Sequence, residues 1–583
     1  MLAARSLILR PSQRLYWLAG KAARRPRMLS AAISGRISSD TLGGGSPLAG
    51  TSPSQGYLDV PAPPSRREPL WCEQEHPGPI DLRRQIFCNR SLNMRQIKAV
   101  GFDMDYTIAQ YKPKAFEELA YRETVDKLVR AFGYPAALYD LTFDYNFMAR
   151  GLIVDKQRGN IIKVDRHKYV KIAYHGFRCL ASGERDDVYN WGSVRDEFDE
   201  PGYSMVDTLF SLAESYLFSQ LVELADREPS SLPHGAAYQL IWRDVRAAVD
   251  LCHRDGTLKR EVAANPSKYI HDDPHLVPML RMYKKSGRKL FLATNSLWDY
   301  THVVMNYLCS GLTGRRKTEE WLRLFDVVIV GCAKPGFFSE RRPLFAVEPA
   351  DGSLRNTDGG APIIPIGLDD LPADVVGSTV SQLDLNDEDK ALVFQGGNYV
   401  DLHKMLGVSS GTECLYIGDH IYGDILRSKK SLGWRTMLVV PELEMELEVA
   451  SASINTQGEL QKLRAQRDDL ADQIERLEWA IAHGAEAPDG VHEARQDERR
   501  RALDALTAQK REVKGRHSAL LRSYHESFHP VWGRLLKTGY QNSRYAHQMD
   551  RFACLYTSHV SNMGWYSPDK AYRGRIDCMA HEV

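Results

Sequence analysis

Five short, unbroken apolar runs recur along the chain. They are IKAVGF ending at Phe102, KLFLA ending at Ala293, DVVIV ending at Val330, CLYI ending at Ile417 and RTMLVV ending at Val440. Runs without polar alternation belong to strands buried on both faces, as in parallel sheets. Polar or glycine-rich turns follow the first four, and helical patterns lie between several of them. One of these, DPHLVPMLRMYKKSG, stops at a glycine C-cap signal, Gly287. Strands alternating with helices predict a doubly wound α/β core.

Two interruptions break the alternation. About 180 residues separate the first run from the second, too many for one crossover, so an inserted domain is expected there. It contains the helical stretches MVDTLFSLAESYLFSQLVELAD and WRDVRAAVDLCHRDG. A second insertion, roughly 339–411, is rich in Gly, Pro and Asp. After Val440 the pattern changes to heptads. Leu463, Leu470 and Leu477 stand seven apart, Ile474 and Ile481 take the complementary spacing, and charges fill the rest. APDG then breaks the helix before EARQDERRRALDALTAQKREVKGRHSALLRSY resumes it. This predicts an antiparallel helical hairpin with coiled-coil character. It is either an arm packed on its own domain or a contact for a second copy or another protein.

Composition adds limits. Of 583 residues, 43% are apolar and 26% charged, which fits a globular protein of several domains. A formal net charge of +1 makes no electrostatic case for a nucleic-acid partner. Nine cysteines without a CxxC pair suggest neither a zinc site nor a disulfide framework. No apolar run is long enough for a membrane span. The first 39 residues hold eight Arg or Lys and no acid, with Asp40 the first. That is the composition of a mitochondrial transit peptide. A basic tail on a cytoplasmic protein is the alternative. The Gly/Ser/Pro-rich segment that follows reads as linker.

The chemistry gathers where the strands end. In doubly wound sheets ligands bind beyond the carboxyl ends of the strands. Four polar clusters sit there: DMDYT (Asp103, Asp105, Thr107), ATNS (Thr294, Asn295, Ser296), GCAKPGFF (Lys334) and YIGDHIYGD (Asp419, Asp424). Carboxylates crowded at the end of a buried strand need a counter-charge. Asp103 and Asp419 can hold a hard divalent cation, most simply Mg²⁺. Asp103 can attack phosphorus and form an aspartyl-phosphate. Asp105, two residues on, can protonate the leaving oxygen and later deprotonate water. Thr294 and Lys334 can hold phosphoryl oxygens. Asp424 is expected to orient Lys334 or a metal-bound water from outside the inner ring, and Thr107 is placed in the same outer layer.

With these residues in place, the four clusters resemble the motifs of the haloacid dehalogenase-like phosphohydrolases. FDMDYTIAQY, FLATNS and YIGDHIYGDIL further resemble the cytosolic purine 5′-nucleotidase family, in its 5′-nucleotidase domain-containing branch. The resemblance spans about Arg95 to Gly574. It implies a Rossmann-like core, an inserted α/β cap domain, Mg²⁺, and hydrolysis of nucleoside 5′-monophosphates. Residue by residue, it implies Asp103 as nucleophile and Asp105 as acid/base. Thr294, Asn295 and Lys334 become the phosphate site. Asp103, Asp419 and the backbone carbonyl of Asp105 become the metal ligands.

The expected organisation is 1–40 transit peptide, 41–70 linker, 71–111 and 286–440 catalytic core, 112–285 cap, 441–525 hairpin, and 526–583 packing on the core. Two departures from the family stand out. RDEFDEPGYSMVD offers no base-reading arginine before TLFSLAESYL, and Val154 stands where a stacking aromatic is expected. The expectation is therefore a Mg²⁺-dependent phosphomonoester hydrolase with little preference among bases. The alternative is a catalytically weak regulatory or partner-binding protein on the same fold.

Overall fold

The computed structural model describes residues 70–71, 78–190, 198, 201–311, 318–355, 392–483 and 491–574. The segment expected as a transit peptide, nearly all of the linker and the APDG break lie outside the described residues.

All five apolar runs form neighbouring strands of one nine-stranded sheet. Its order is Phe87–Cys88, Leu555–Thr557, Arg435–Val439, Cys414–Gly418, Ala99–Phe102, Lys289–Ala293, Val327–Val330, Leu392–Gly396, Leu344–Ala346. The pairs from Leu555–Thr557 through Leu392–Gly396 are parallel, and the two outermost pairs are antiparallel. The strands bury both faces because their residues alternate between two hydrophobic cores. Val100, Phe102, Leu290, Leu292, Val328, Val330, Leu415 and Ile417 enter one; Ala99, Phe291, Ala293, Val327, Ile329, Cys414 and Tyr416 enter the other.

Four further strands of this sheet escape the sequence pattern, the edge strands Phe87–Cys88 and Leu344–Ala346 among them. Leu392–Gly396 lies inside the Gly/Pro/Asp-rich second insertion. Leu555–Thr557 comes from the C-terminal segment, which supplies sheet as well as packing.

The topology fixes where the site is. From Ala99–Phe102 the chain builds outward on one side through Lys289–Ala293 and Val327–Val330, then returns to the other side with Cys414–Gly418. The switch point lies between Ala99–Phe102 and Cys414–Gly418. Phe102 is in register with Ile417 and with Leu292, so Asp103, Asp419 and Thr294 emerge together at one edge.

The inserted residues form a five-stranded antiparallel sheet: Arg178–Cys179, Val170–His175, Asn160–Val164, Leu152–Asp155, Tyr203–Val206. Helices Pro113–Phe132, Ser211–Arg227 and Tyr238–Arg254 accompany it. The stretch expected to be helical from Met205 begins instead as strand, because Tyr203–Val206 pairs with Leu152–Asp155, and turns helical only at Ser211. Leu217 and Ile241 of these helices share a core with Val100 and Phe102.

Helices Ile454–His483 and Val491–Glu526 form the C-terminal helical hairpin. Leu463 and Leu470 pack on Val513, and Leu460 packs on Tyr524 and Phe528, so the helices run antiparallel. Its base is tied down: His517 Nε2 lies 2.6 Å from Tyr540 Oη, and Arg464 covers the same ring at 4.7 Å.

Candidate active site

Asp103 leaves its strand with its N–H still bonded to Ile417 O, so the sheet itself aims the residue. Its Oδ1 accepts from Met104 N at 2.8 Å and faces Lys334 Nζ at 2.7 Å. Lys334 Nζ also meets Asp424 Oδ1 at 2.8 Å and donates to Tyr416 Oη at 3.0 Å. Tyr416 in turn donates to Ala293 O. Asp424 reaches the lysine because residue 418 is glycine: a Cβ there would sit 2.5 Å from Asp424 Oδ2.

Ligand atoms of Asp103, Asp419 and Asp424 lie within 4.8 Å of one another, and all three residues are buried. Three carboxylates against one ammonium leave an excess of negative charge. Burial pulls the Lys334 ammonium down, yet Asp103 and Asp424 hold its proton well above the ordinary range. Burial, reinforced by Asp424, pushes the Asp419 carboxyl up to about 7. Asp419 Oδ2 is buried and makes no hydrogen bond. An unpartnered buried carboxylate oxygen beside two more acids is what a hard divalent cation satisfies, so the donor set fits Mg²⁺.

The other predicted residues fall around this centre. Asp105 is held from both sides: Tyr111 Oη donates to Oδ1 at 2.6 Å and Ser296 Oγ to Oδ2 at 2.9 Å. Thr294 is fully buried, and its Oγ1 accepts from Ser296 N. Asn295 grips the backbone of Lys334 with both ends of its amide, at 2.6 and 3.2 Å. Thr107 is fully buried, and its hydroxyl makes no hydrogen bond. Asp419 runs directly into a π-helical turn, Ile421–Leu426, that carries Asp424.

Several residues at the site were missed from sequence. Tyr111 and Tyr416 are second partners of Asp105 and Lys334. His420 Nε2 lies 2.7 Å from Asp207 Oδ2 on the inserted domain. Although burial lowers its proton affinity, Asp207 raises it further, to about 9. The largest omission concerns the wall above Asp105. Phe210 packs on Tyr106 and Tyr111 with centroids at 4.6 and 6.0 Å, and on His253 at 6.2 Å. His253 feels the charges of Lys259, Arg246, Asp250 and Asp105. Arg246 forks onto Glu214 at 2.9 and 2.8 Å. Lys259 Nζ lies 5.4 Å from the ring of Tyr300, which hydrogen-bonds Tyr111.

Of the segment RDEFDEPGYSMVD, residues 195–197 and 199–200 lie outside the described residues. A different Arg- and Asp-containing stretch, RDVRAAVDLCHRDGTLK, puts Arg246, Asp250 and His253 on one face at helical spacing. Val154 is fully buried in the sheet of the inserted domain, opposite Ile161 and Ser204, and lines no site. Phe210 adds a half-buried ring beside Tyr106 and Tyr111. In this group Arg246 has a side-chain exposure of 49% and His253 is exposed, while Phe210 is half-buried.

Buried carboxylates gathered around one lysine, at the switch point of a parallel sheet, are the equipment of an enzyme that works on phosphoryl groups. The chain belongs to the 5′ nucleotidase family, whose model matches residues 86–583, and it is a phosphoric monoester hydrolase. Among similar proteins, a 5′-nucleotidase domain-containing protein of Dictyostelium discoideum is 27% identical over 488 residues, 82% of this chain and 72% of its own length. The 5′-nucleotidase domain-containing protein 2 of Homo sapiens is 26% identical over 510 residues, 85% of this chain and 85% of its own. The crystal structure of a HAD phosphatase from Thermococcus onnurineus aligns with 59% of this chain and 87% of its own, at 15% identity and a TM-score of 0.22.

Proposed function

We propose that this protein is a Mg²⁺-dependent hydrolase of nucleoside 5′-monophosphates that works through an aspartyl-phosphate on Asp103. The observation that carries the reading is the buried set Asp103, Asp419, Asp424 and Lys334, with Asp419 Oδ2 unpartnered. Bound through Asp103, Asp419 and the Asp105 carbonyl, the cation would neutralise charge on the transferring phosphoryl group.

The chain's own residues do the rest. Lys334 and Met104 N–H hold Asp103 Oδ1, which leaves Oδ2 to attack phosphorus. The P–O bond to the nucleoside breaks as the Asp103–phosphorus bond forms, and Asp105 gives the departing oxygen its proton. Asp105 then takes a proton from the water that attacks the phosphoryl group. Inorganic phosphate leaves and Asp103 is free again. Tyr111 and Ser296 keep the Asp105 carboxyl on this line through both steps. Thr294, Asn295 and Lys334 form the phosphate end. Asn295 acts by fixing the loop that carries the lysine.

Phe210 supports a nucleotide over a plain alkyl or aryl phosphate. It packs on His253, which feels the charges of Arg246, Asp250 and Lys259, a mix of donors and acceptors suited to a base and ribose. This reading favours a nucleotide preference over the broad specificity expected from sequence. The test is kcat/KM for purine and pyrimidine monophosphates beside a generic aryl phosphate, with and without Mg²⁺. The expected result is Mg²⁺-dependent turnover with at least one nucleotide favoured more than about 200-fold, beyond what apolar contact alone supplies. Equal rates on the aryl phosphate would remove the nucleotide assignment. No turnover of any ester would favour a binding protein on this fold.

A further inference from the structure

We propose that Arg150, contributed by the inserted domain, is a positioning residue that fixes the backbone of Asp419 and so aims its free carboxylate oxygen at the cation. The proposal rests on the reading of Asp419 as a cation ligand.

Arg150 is fully buried, with its side chain 0% exposed and that of Glu442 1% exposed. Its Nε and Nη2 fork onto Glu442 Oε1 and Oε2 at 2.8 and 2.5 Å. Its Nη1 donates to the main-chain O of Asp419 at 3.2 Å. One planar group thus bridges Asp419, the first residue after Cys414–Gly418, and Glu442, three residues past Arg435–Val439. A buried ion pair of this kind adds little stability over apolar side chains of the same volume. The third bond, to Asp419 O, gives the arginine a task that packing cannot perform.

The geometry of Asp419 makes that bond matter. The residue stands between a strand and a π-helical turn, and its carboxylate Oδ2 makes no hydrogen bond. Its side chain is therefore directed by its backbone, which Arg150 holds. The neighbouring Gly151 shows how tightly the arginine is placed. Its φ is +82°, its N–H donates to Val206 O at 2.7 Å, and a Cβ there would lie 2.6 Å from Tyr545 Cβ. The Tyr545 ring flanks the guanidinium at 5.6 Å. Lysine cannot replace this group, because one ammonium cannot fork onto Glu442 and reach Asp419 O together.

The test measures Mg²⁺ binding to the full chain by thermal stabilisation without substrate, and separately the Mg²⁺ dependence of turnover. R150K is expected to weaken Mg²⁺ half-saturation by about 10-fold or more, the usual effect of losing a group that orients a ligand. KM for the phosphomonoester should move less than about threefold. The double variant R150M/E442L replaces the buried pair with apolar side chains and keeps the test usable if R150K unfolds. It should regain most of the wild-type Tm while Mg²⁺ binding stays weak. Wild-type-like Mg²⁺ binding, within about twofold, in either variant would overturn the positioning role. A wild-type protein that binds Mg²⁺ but hydrolyses nothing would sink the hydrolase reading and leave this one measurable. A wild-type protein that binds no Mg²⁺ would overturn both.

Discussion

At the scale of single residues, the site is a problem of excess charge with a specific solution. Lys334 neutralises part of it through Asp103 and Asp424, and Asp419 carries the remainder. Its carboxyl is raised to about 7 from an ordinary 3.8, chiefly by burial. The folded, metal-free protein therefore holds a proton that the unfolded chain gives up. The stability from this proton is fully present below about pH 4 and is lost as pH rises through about 7. A bound cation must displace the same proton, and any on Asp103, whose carboxyl burial also pushes up, so Mg²⁺ affinity should fall as pH drops through about 7. His420 next door titrates near 9 and stays charged across this window. A Mg²⁺ titration by thermal shift from pH 5.5 to 8.5 checks the slope, and a flat profile would mean that Asp419 is already ionised in the empty site. Asp103, Asp105, Thr294, Lys334 and Asp419 were legible because each follows a buried strand within a few residues, where local pattern and topology coincide. Arg150, Phe210 and Arg246 were not. They come from an insertion whose strands and helices meet the site only after folding, and helical spacing alone does not say which face looks inward.

At the scale of elements, the five strands with unbroken apolar runs could be read directly, because burial on both faces leaves no polar positions to confuse the period. Leu392–Gly396 and Leu555–Thr557 could not. The first follows the charged run NDEDK and ends in two glycines, and the second spans three residues held by its neighbours more than by its own pattern. The heptad leucines did mark the helical hairpin: Leu463, Leu470 and Ile474 are buried, while Leu477 and Ile481 are half-buried and Trp479 is 65% exposed. The structure also says how much of it can be removed. Cutting out 459–525 would strip Leu460 and Tyr524 from Phe528, and His517 from Tyr540. Replacing only 475–504 with a short glycine-rich linker leaves those contacts in place. That variant should stay soluble and active, with Tm within about 2 °C of wild type, since it removes mostly exposed helix. Insolubility or loss of turnover would place the outer hairpin in the catalytic fold.

At the scale of the whole molecule, inserted domain and sheet share one hydrophobic core and meet at the site through His420–Asp207 and through Arg150. The inserted domain is thus part of the same folded unit as the sheet. Ahead of that unit the acid-free, Arg-rich leader has the composition for mitochondrial import. A fluorescent reporter fused after Ser39 should enter mitochondria, and a diffuse signal would assign the leader another role. None of the described helices is long and apolar enough to cross a membrane. The central claim is that phosphate is handed to Asp103 before it reaches water. The most direct measurement is intact-protein and peptide mass spectrometry after acid-quenching the Mg²⁺-loaded enzyme during turnover of its best nucleoside monophosphate. The account predicts one added phosphoryl group, mapped to Asp103 and absent from D103N, which should also lose turnover because an amide neither attacks phosphorus nor binds Mg²⁺ well. Sustained turnover by D103N, or a phosphoryl group mapped to any other residue, would contradict it.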